Sequence, residues 1–224
     1  MIGNSDILDA WETGHALHPL HRALQTLRLA RPHEPIDVLA KLTIAERDRE
    51  LMRLRAALFG THCEAIAPCP ECGEQLDIGF DLETFTSAPV PPANAADDAL
   101  RLPDTLDLLS VAALPAPQRV SALAARLCGR RIPDEQLPAL ESALTARDPL
   151  AEVRLEFSCP ACGHGWSDLF DIAAFLWDEI DEHAVRLLGE TDMLARTYGW
   201  SEGEILAIPP RRRQIYLDFA LDSA

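Results

Sequence analysis

The chain has 224 residues, 48% hydrophobic and 25% charged, with a formal net charge of −16; that balance belongs to a soluble globular protein and excludes a disordered or fibrous one. So acidic a surface repels phosphate backbones and anionic lipid headgroups, which argues against nucleic acid or membrane as the main partner and for a protein, preferably a basic one. No apolar run reaches the roughly 18 residues of a membrane span, and the opening MIGNSDILDAWETG lacks the basic-then-apolar pattern of a signal peptide, so a reducing cytoplasm where thiols persist is expected.

Low aromatic content, with abundant Ala and Leu, predicts mostly helix. Ile7, Leu8 and Trp11 share a helical face that Gly14 ends, and Pro19 opens a second helix carrying Leu20, Leu24 and Leu27. In LTIAERDRELMRLRAALFG, Thr43 and Glu46 form a capping-box pattern and Gly60 a C-terminal stop. Leu51, Leu54 and Leu58 should face inward there, with Glu46, Arg49, Glu50 and Arg53 pairing outside.

The period then changes. After the phrase CPECG, which begins at Cys69, EQLDIGFD alternates through Leu76, Ile78 and Phe80 as a half-buried strand does. The Pro/Ala-rich TSAPVPPANAAD reads as an extended, mobile connector. Beyond it helices are expected from Asp104 to Leu114, from Pro117 to Gly129 and from Asp134 to Arg147, a small helical unit of their own. VRLEF, with Val153, Leu155 and Phe157, is a second alternating strand leading into CPACG at Cys159. One long helix follows, with Ile172, Leu176, Ile180, Ala184, Leu188 and Leu194 inward, a bend expected near Gly189 and a stop at Gly199. Ser201 and Glu204 make another capping box, and Pro209 and Pro210 separate a short helix from the last one.

The twice-written phrase carries the chemistry. A tetrahedral site needs four soft ligands; a Cys-x-x-Cys turn supplies two, and the glycine after it lets the backbone bend its amides toward the sulfurs. Cys69, Cys72, Cys159 and Cys162 therefore form a candidate set for one structural Zn2+, with a strand beside each knuckle as in a zinc ribbon. Iron in the same thiolates is allowed by the ligands. A Cys-Pro-x-Cys dithiol oxidoreductase would need its first Cys at a helix N-terminus, whereas a strand follows Cys72; two cysteine pairs holding nothing is the bland alternative. The expected fold is mostly α with a small β zinc ribbon (α+β). An N-terminal helical segment would occupy 1–61, ribbon halves 62–85 and 151–170, a linker and helical insertion 86–150, and a C-terminal helical segment 171–224.

Cys63 and Cys128 are expected as buried free thiols, His164 as an exposed turn residue, and the His15, His18, His21 series as compositional. Eight acids and one base, Arg186, lie between Asp168 and Asp192, a solvated face or a docking surface. Arg211, Arg212 and Arg213 are expected to meet that acidic helix or cap carbonyls rather than bind nucleic acid. The common P-loop, nucleophile-elbow and zinc-protease signatures are absent, so no catalytic residue is assigned.

Read in order, LTIAERDRELMRLRAALFG, CPECG with its acidic strand, DPLAEVRLEFSCPACGHGW, FDIAAFLWDEI and LARTYGWSEGEILAIPPRRRQIYL resemble the phage baseplate proteins related to the T4 baseplate hub assembly chaperone, also found in contractile injection systems. The resemblance covers most of the chain, least well the insertion from about Thr86 to Arg147. It implies a non-enzymatic accessory or chaperone of baseplate or hub assembly, with a hub or baseplate protein as partner and the metal on the same four cysteines. The alternative function is a zinc-ribbon nucleic-acid-binding accessory, and after it the thiol oxidoreductase.

Overall fold

The structure, a computed structural model, describes residues 2–87 and 100–222; most of the Pro/Ala connector lies outside them. Several of its helices begin where a nearby side chain supplies an acceptor for their free amides. Asp6 accepts the Gly3 amide at 2.7 Å to open α1 (Asn4–Gly14), and His18 Nδ1 accepts the Leu20 amide at 3.3 Å at the start of α2 (Pro19–Ala30). After the short α3 (Ile36–Leu39), α4 (Ile44–Phe59) starts on the capping box. The Thr43 amide donates to Glu46 at 2.9 Å and the Glu46 amide to Thr43 Oγ1 at 3.2 Å.

Two antiparallel hairpins form separate two-stranded sheets, β1 (His62–Pro68) with β2 (Gln75–Asp81), and β3 (Arg154–Ser158) with β4 (Gly165–Leu169). In register, Cys63 faces Phe80 and Ile66 faces Asp77 in the first, and Phe157 faces Trp166 in the second. The first hairpin runs into α5 (Glu83–Thr86), so Thr86 is helical and not extended. Between the hairpins stand α6 (Thr105–Ala112), α7 (Ala116–Cys128) and, after a 3-10 turn at Asp134–Gln136, α8 (Leu137–Arg147). Asp104 and Asp107 cap α6 reciprocally at 2.9 and 3.1 Å.

The chain closes with α9 (Ile172–Tyr198), α10 (Glu202–Leu206) and α11 (Pro210–Asp222). Asp171 caps α9, which runs as one helix through Gly189 to Gly199. Its inward stripe is Ile172, Leu176, Ile180, Ala184, Leu187 and Leu194; the expected Leu188 is exposed. A strict four-residue step drifts off a 3.6-residue helix, and the stripe recovers by stepping three from Ala184 to Leu187.

The principal core unites α2, α4 and the first half of α9 through Leu24, Leu27, Leu51, Met52, Leu176 and Ile180, with Leu150 and Val153 joining from the far side of the insertion. Farther along α9, Ala184 and Leu187 pack on Leu8, and Leu194 packs on Ile205 and Leu217. The insertion is fastened at the start of α4. The Ile44 amide donates to Pro103 O at 3.1 Å, and Arg47, itself buried, reaches Thr105 Oγ1 at 3.3 Å. Inside the insertion the buried Asp107 receives Arg101 at 2.6 and 2.7 Å and Arg126 at 3.1 Å. Burial opposes ionisation there, yet these guanidiniums and the Asp104 amide hold the Asp107 carboxyl down at about 2.

Candidate metal centre

Each knuckle is the turn of a hairpin, and the two turns repeat one hydrogen-bond pattern. The Cys69 amide donates to Glu74 O at 2.8 Å and the Gly73 amide to Cys69 O at 2.9 Å; the Cys159 amide donates to His164 O and the Gly163 amide to Cys159 O, both at 2.9 Å. Closing such a turn requires a left-handed residue, which Gly73 (φ 75°) and Gly163 (φ 76°) supply; a Cβ on either would meet nothing within 4 Å, so the demand is conformational.

The turns bring Cys69, Cys72, Cys159 and Cys162 together with all four sulfurs within 4.8 Å of one another. Across the gap Cys69 Sγ lies 3.8 Å from Cys162 Sγ, and Cys72 Sγ 3.7 Å from Cys159 Sγ. Disulfide sulfurs stand about 2.05 Å apart, whereas Zn–S bonds of about 2.3 Å in a tetrahedron place the sulfurs about 3.8 Å apart. The donor set therefore fits one tetrahedral thiophilic ion. Cys69 and Cys159 are buried, and Cys72 and Cys162 are exposed.

At Cys69 burial works against ionisation, but the backbone amides of Cys72 and Glu71 point at the sulfur and draw its thiol down to about 7. At Cys72 the Glu74 amide pulls the same way, yet the neighbouring sulfurs, Cys162 first, push it up to about 12. A thiolate at Cys69 thus opposes a second negative charge at Cys72. A divalent ion removes that opposition.

Two features tie the hairpins to the helical body. Arg55, buried on the inner face of α4, donates to Gly60 O at 2.8 Å and His62 O at 2.6 Å, and pairs with Glu179 of α9 through both carboxylate oxygens at 2.6 and 2.9 Å. Phe80 and Phe170, one from each half, meet edge to face at 4.9 Å, with Phe85 and Phe175 beside them. Sequence reasoning missed Arg55, although the signal was present: Arg47, Leu51 and Arg55 recur at four-residue steps and so share the inward stripe.

The remaining expectations divide. Cys63 is buried, and burial pushes its thiol up to about 11, while Cys128 is half-buried rather than buried. His164 is half-buried, stacked on Trp166 at 6.1 Å, and not an exposed turn residue. Among the described residues the four cysteines are the one group of three or more such side chains brought together, and His15, His18 and His21 are not gathered into one. Arg213 meets the acidic helix through Glu190 at 2.8 Å, while Arg211 and Arg212 are exposed. Neither knuckle opens a helix, which removes the dipole that a Cys-x-x-Cys redox site relies on. The chain is thus a mostly helical protein in which two hairpins oppose four thiols. No protein family, curated protein or solved structure matches it.

Proposed function

We propose that this chain is a non-enzymatic zinc-binding interaction protein that assists assembly of the baseplate or hub of a phage tail or contractile injection system. The observation that carries the metal half is the meeting of two identical Cys-Pro-x-Cys-Gly turns at sulfur separations of 3.7 and 3.8 Å. Zinc suits four thiolates in a tetrahedron, and four protein ligands leave no open position for a reacting water, so the ion's role is architectural. It joins the hairpin after α4 to the hairpin before α9. The assembly half is supported by the five sequence stretches whose order resembles the baseplate proteins.

Metal analysis by mass spectrometry, on untagged protein purified without added metal, tests the first half. One zinc per chain is expected, with the half-buried Cys128 open to a thiol reagent and the buried Cys63 reached only after unfolding; protein free of metal with reactive knuckle thiols refutes it. Co-purification with a complete set of baseplate proteins tests the second half, and capture of no hub or baseplate component overturns it.

A further inference from the structure

Helix α8 carries Leu137, Leu140 and Leu144 on one face, yet none of its residues is buried. The same i, i+3, i+7 spacing in α9, at Trp177, Ile180 and Ala184, disappears into the core. Here the leucines face Val120, Leu123 and Leu127 of α7 across an apolar groove of about 350 Å³. Val120 on its wall is 62% exposed. The stripe from Leu137 to Leu144 extends about 10 Å along α8, room for two turns of a further helix.

The charges select what fits. Among the described residues Glu141, Asp148 and Glu152 line the groove, and no lysine, arginine or histidine does. Glu152 pairs with Arg154 at 2.9 Å and Asp148 is buried on the Ala45 amide, while Glu141 stands exposed. An occupant needs apolar residues at helical spacing to cover the leucines and basic residues beside them to meet the carboxylates, on a chain that is itself strongly acidic. Segment 88–99 of the same chain brings only acids, Asp97 and Asp98, which argues against it as the occupant.

We propose that the groove between α7 and α8 is a docking site for a basic amphipathic helix of a partner protein. The assignment rests on the reading of the chain as an interaction protein, and it needs neither the metal nor the baseplate resemblance.

The test uses the full chain with its metal and a synthetic helix of about four turns, leucines on one face and arginines flanking them. The controls are a scrambled peptide of equal composition and a leucine/glutamate helix. The arginine helix should shift the methyl resonances of Val120, Leu123, Leu140 and Leu144. Val120→Asp, an exposed change that leaves the fold intact by circular dichroism, should weaken binding about tenfold, and Glu141→Arg should weaken the arginine helix while admitting the glutamate one. Equal binding by the scrambled peptide, or undiminished binding to Val120→Asp, overturns the proposal. A peptide-free dimer abolished by Val120→Asp also overturns it and assigns the groove to a second copy. Groove methyls that shift when 88–99 is replaced by Gly/Ser overturn it in favour of the chain's own linker. Peptide binding that persists in Cys162→Ser supports the groove even where the zinc reading fails, and zinc-loaded protein without peptide binding sinks the groove alone.

Discussion

The helical body and the paired hairpins are held by different forces. In the body, Leu27, Leu51, Leu176 and Ile180 are wholly buried, and apolar area removed from water supplies the stability. In the hairpins the residues buried within the strands and turns are Cys63, Cys69 and Cys159, while the alternating Leu76, Ile78, Leu155 and Phe157 are only half covered. Isolated two-stranded hairpins are marginal in water. The body can therefore stand on packing alone, whereas the hairpins rely on their ties to it and would gain most from an ion on the four thiols.

The strongest way to break that comparison is to remove the metal site. Cys162→Ser, or chelation, should abolish stoichiometric metal binding and speed amide exchange in β1 to β4, an effect on the scale of about 10 kcal/mol for structural zinc, while the far-ultraviolet helical signal persists; loss of the helices as well would show that the body depends on the ion. Next comes the link between regions. Arg55→Leu strands the Glu179 carboxylate and frees two carbonyls, and should cost about 3–5 kcal/mol in denaturant unfolding. It should also loosen the hairpins; an unchanged midpoint would mean that the pair is dispensable. Leu176→Ala, in the body, should cost about 2–5 kcal/mol yet leave zinc stoichiometry at one.

A smaller effect has the opposite sign. Burial pushes the Asp148 carboxyl up to about 6, although it accepts the Ala45 amide at the start of α4. A carboxyl raised on folding favours the native state below its unfolded value near 4 and loses that advantage as pH rises through 6. Asp148→Asn should therefore raise the melting temperature at pH 7, by an amount corresponding to about 1–3 kcal/mol, and the gain over parent should vanish by pH 4. A gain that grows on acidification would refute this.

What was legible in the sequence is local. Thr43 with Glu46, Ser201 with Glu204, and the two glycine-closed cysteine turns each act within a few residues, and such patterns survive any tertiary arrangement. The meeting of the four cysteines was legible too, because a repeated knuckle implies its own partner. Arg55 with Glu179 and Trp11 with Asp181 were not, since nothing near one residue reports which distant residue will meet it. The acidic run of α9 read as one surface, yet Glu179, Asp181 and Glu190 each turn to a specific donor. Leu187 displaced Leu188 because periodicity gives a face only to within one residue.

The separation of the two knuckles also sets a clock. At ordinary synthesis rates, the interval between Cys69 and Cys159 leaving the ribosome is on the order of 5–20 s. During that time the first pair of thiols is made, and the partners that complete its coordination do not yet exist. An ion that binds early is held by half its ligands, and the permanent bond waits until α6, α7 and α8 have been translated. A metal on all four thiols would thus record that the insertion has been made and its flanks brought together.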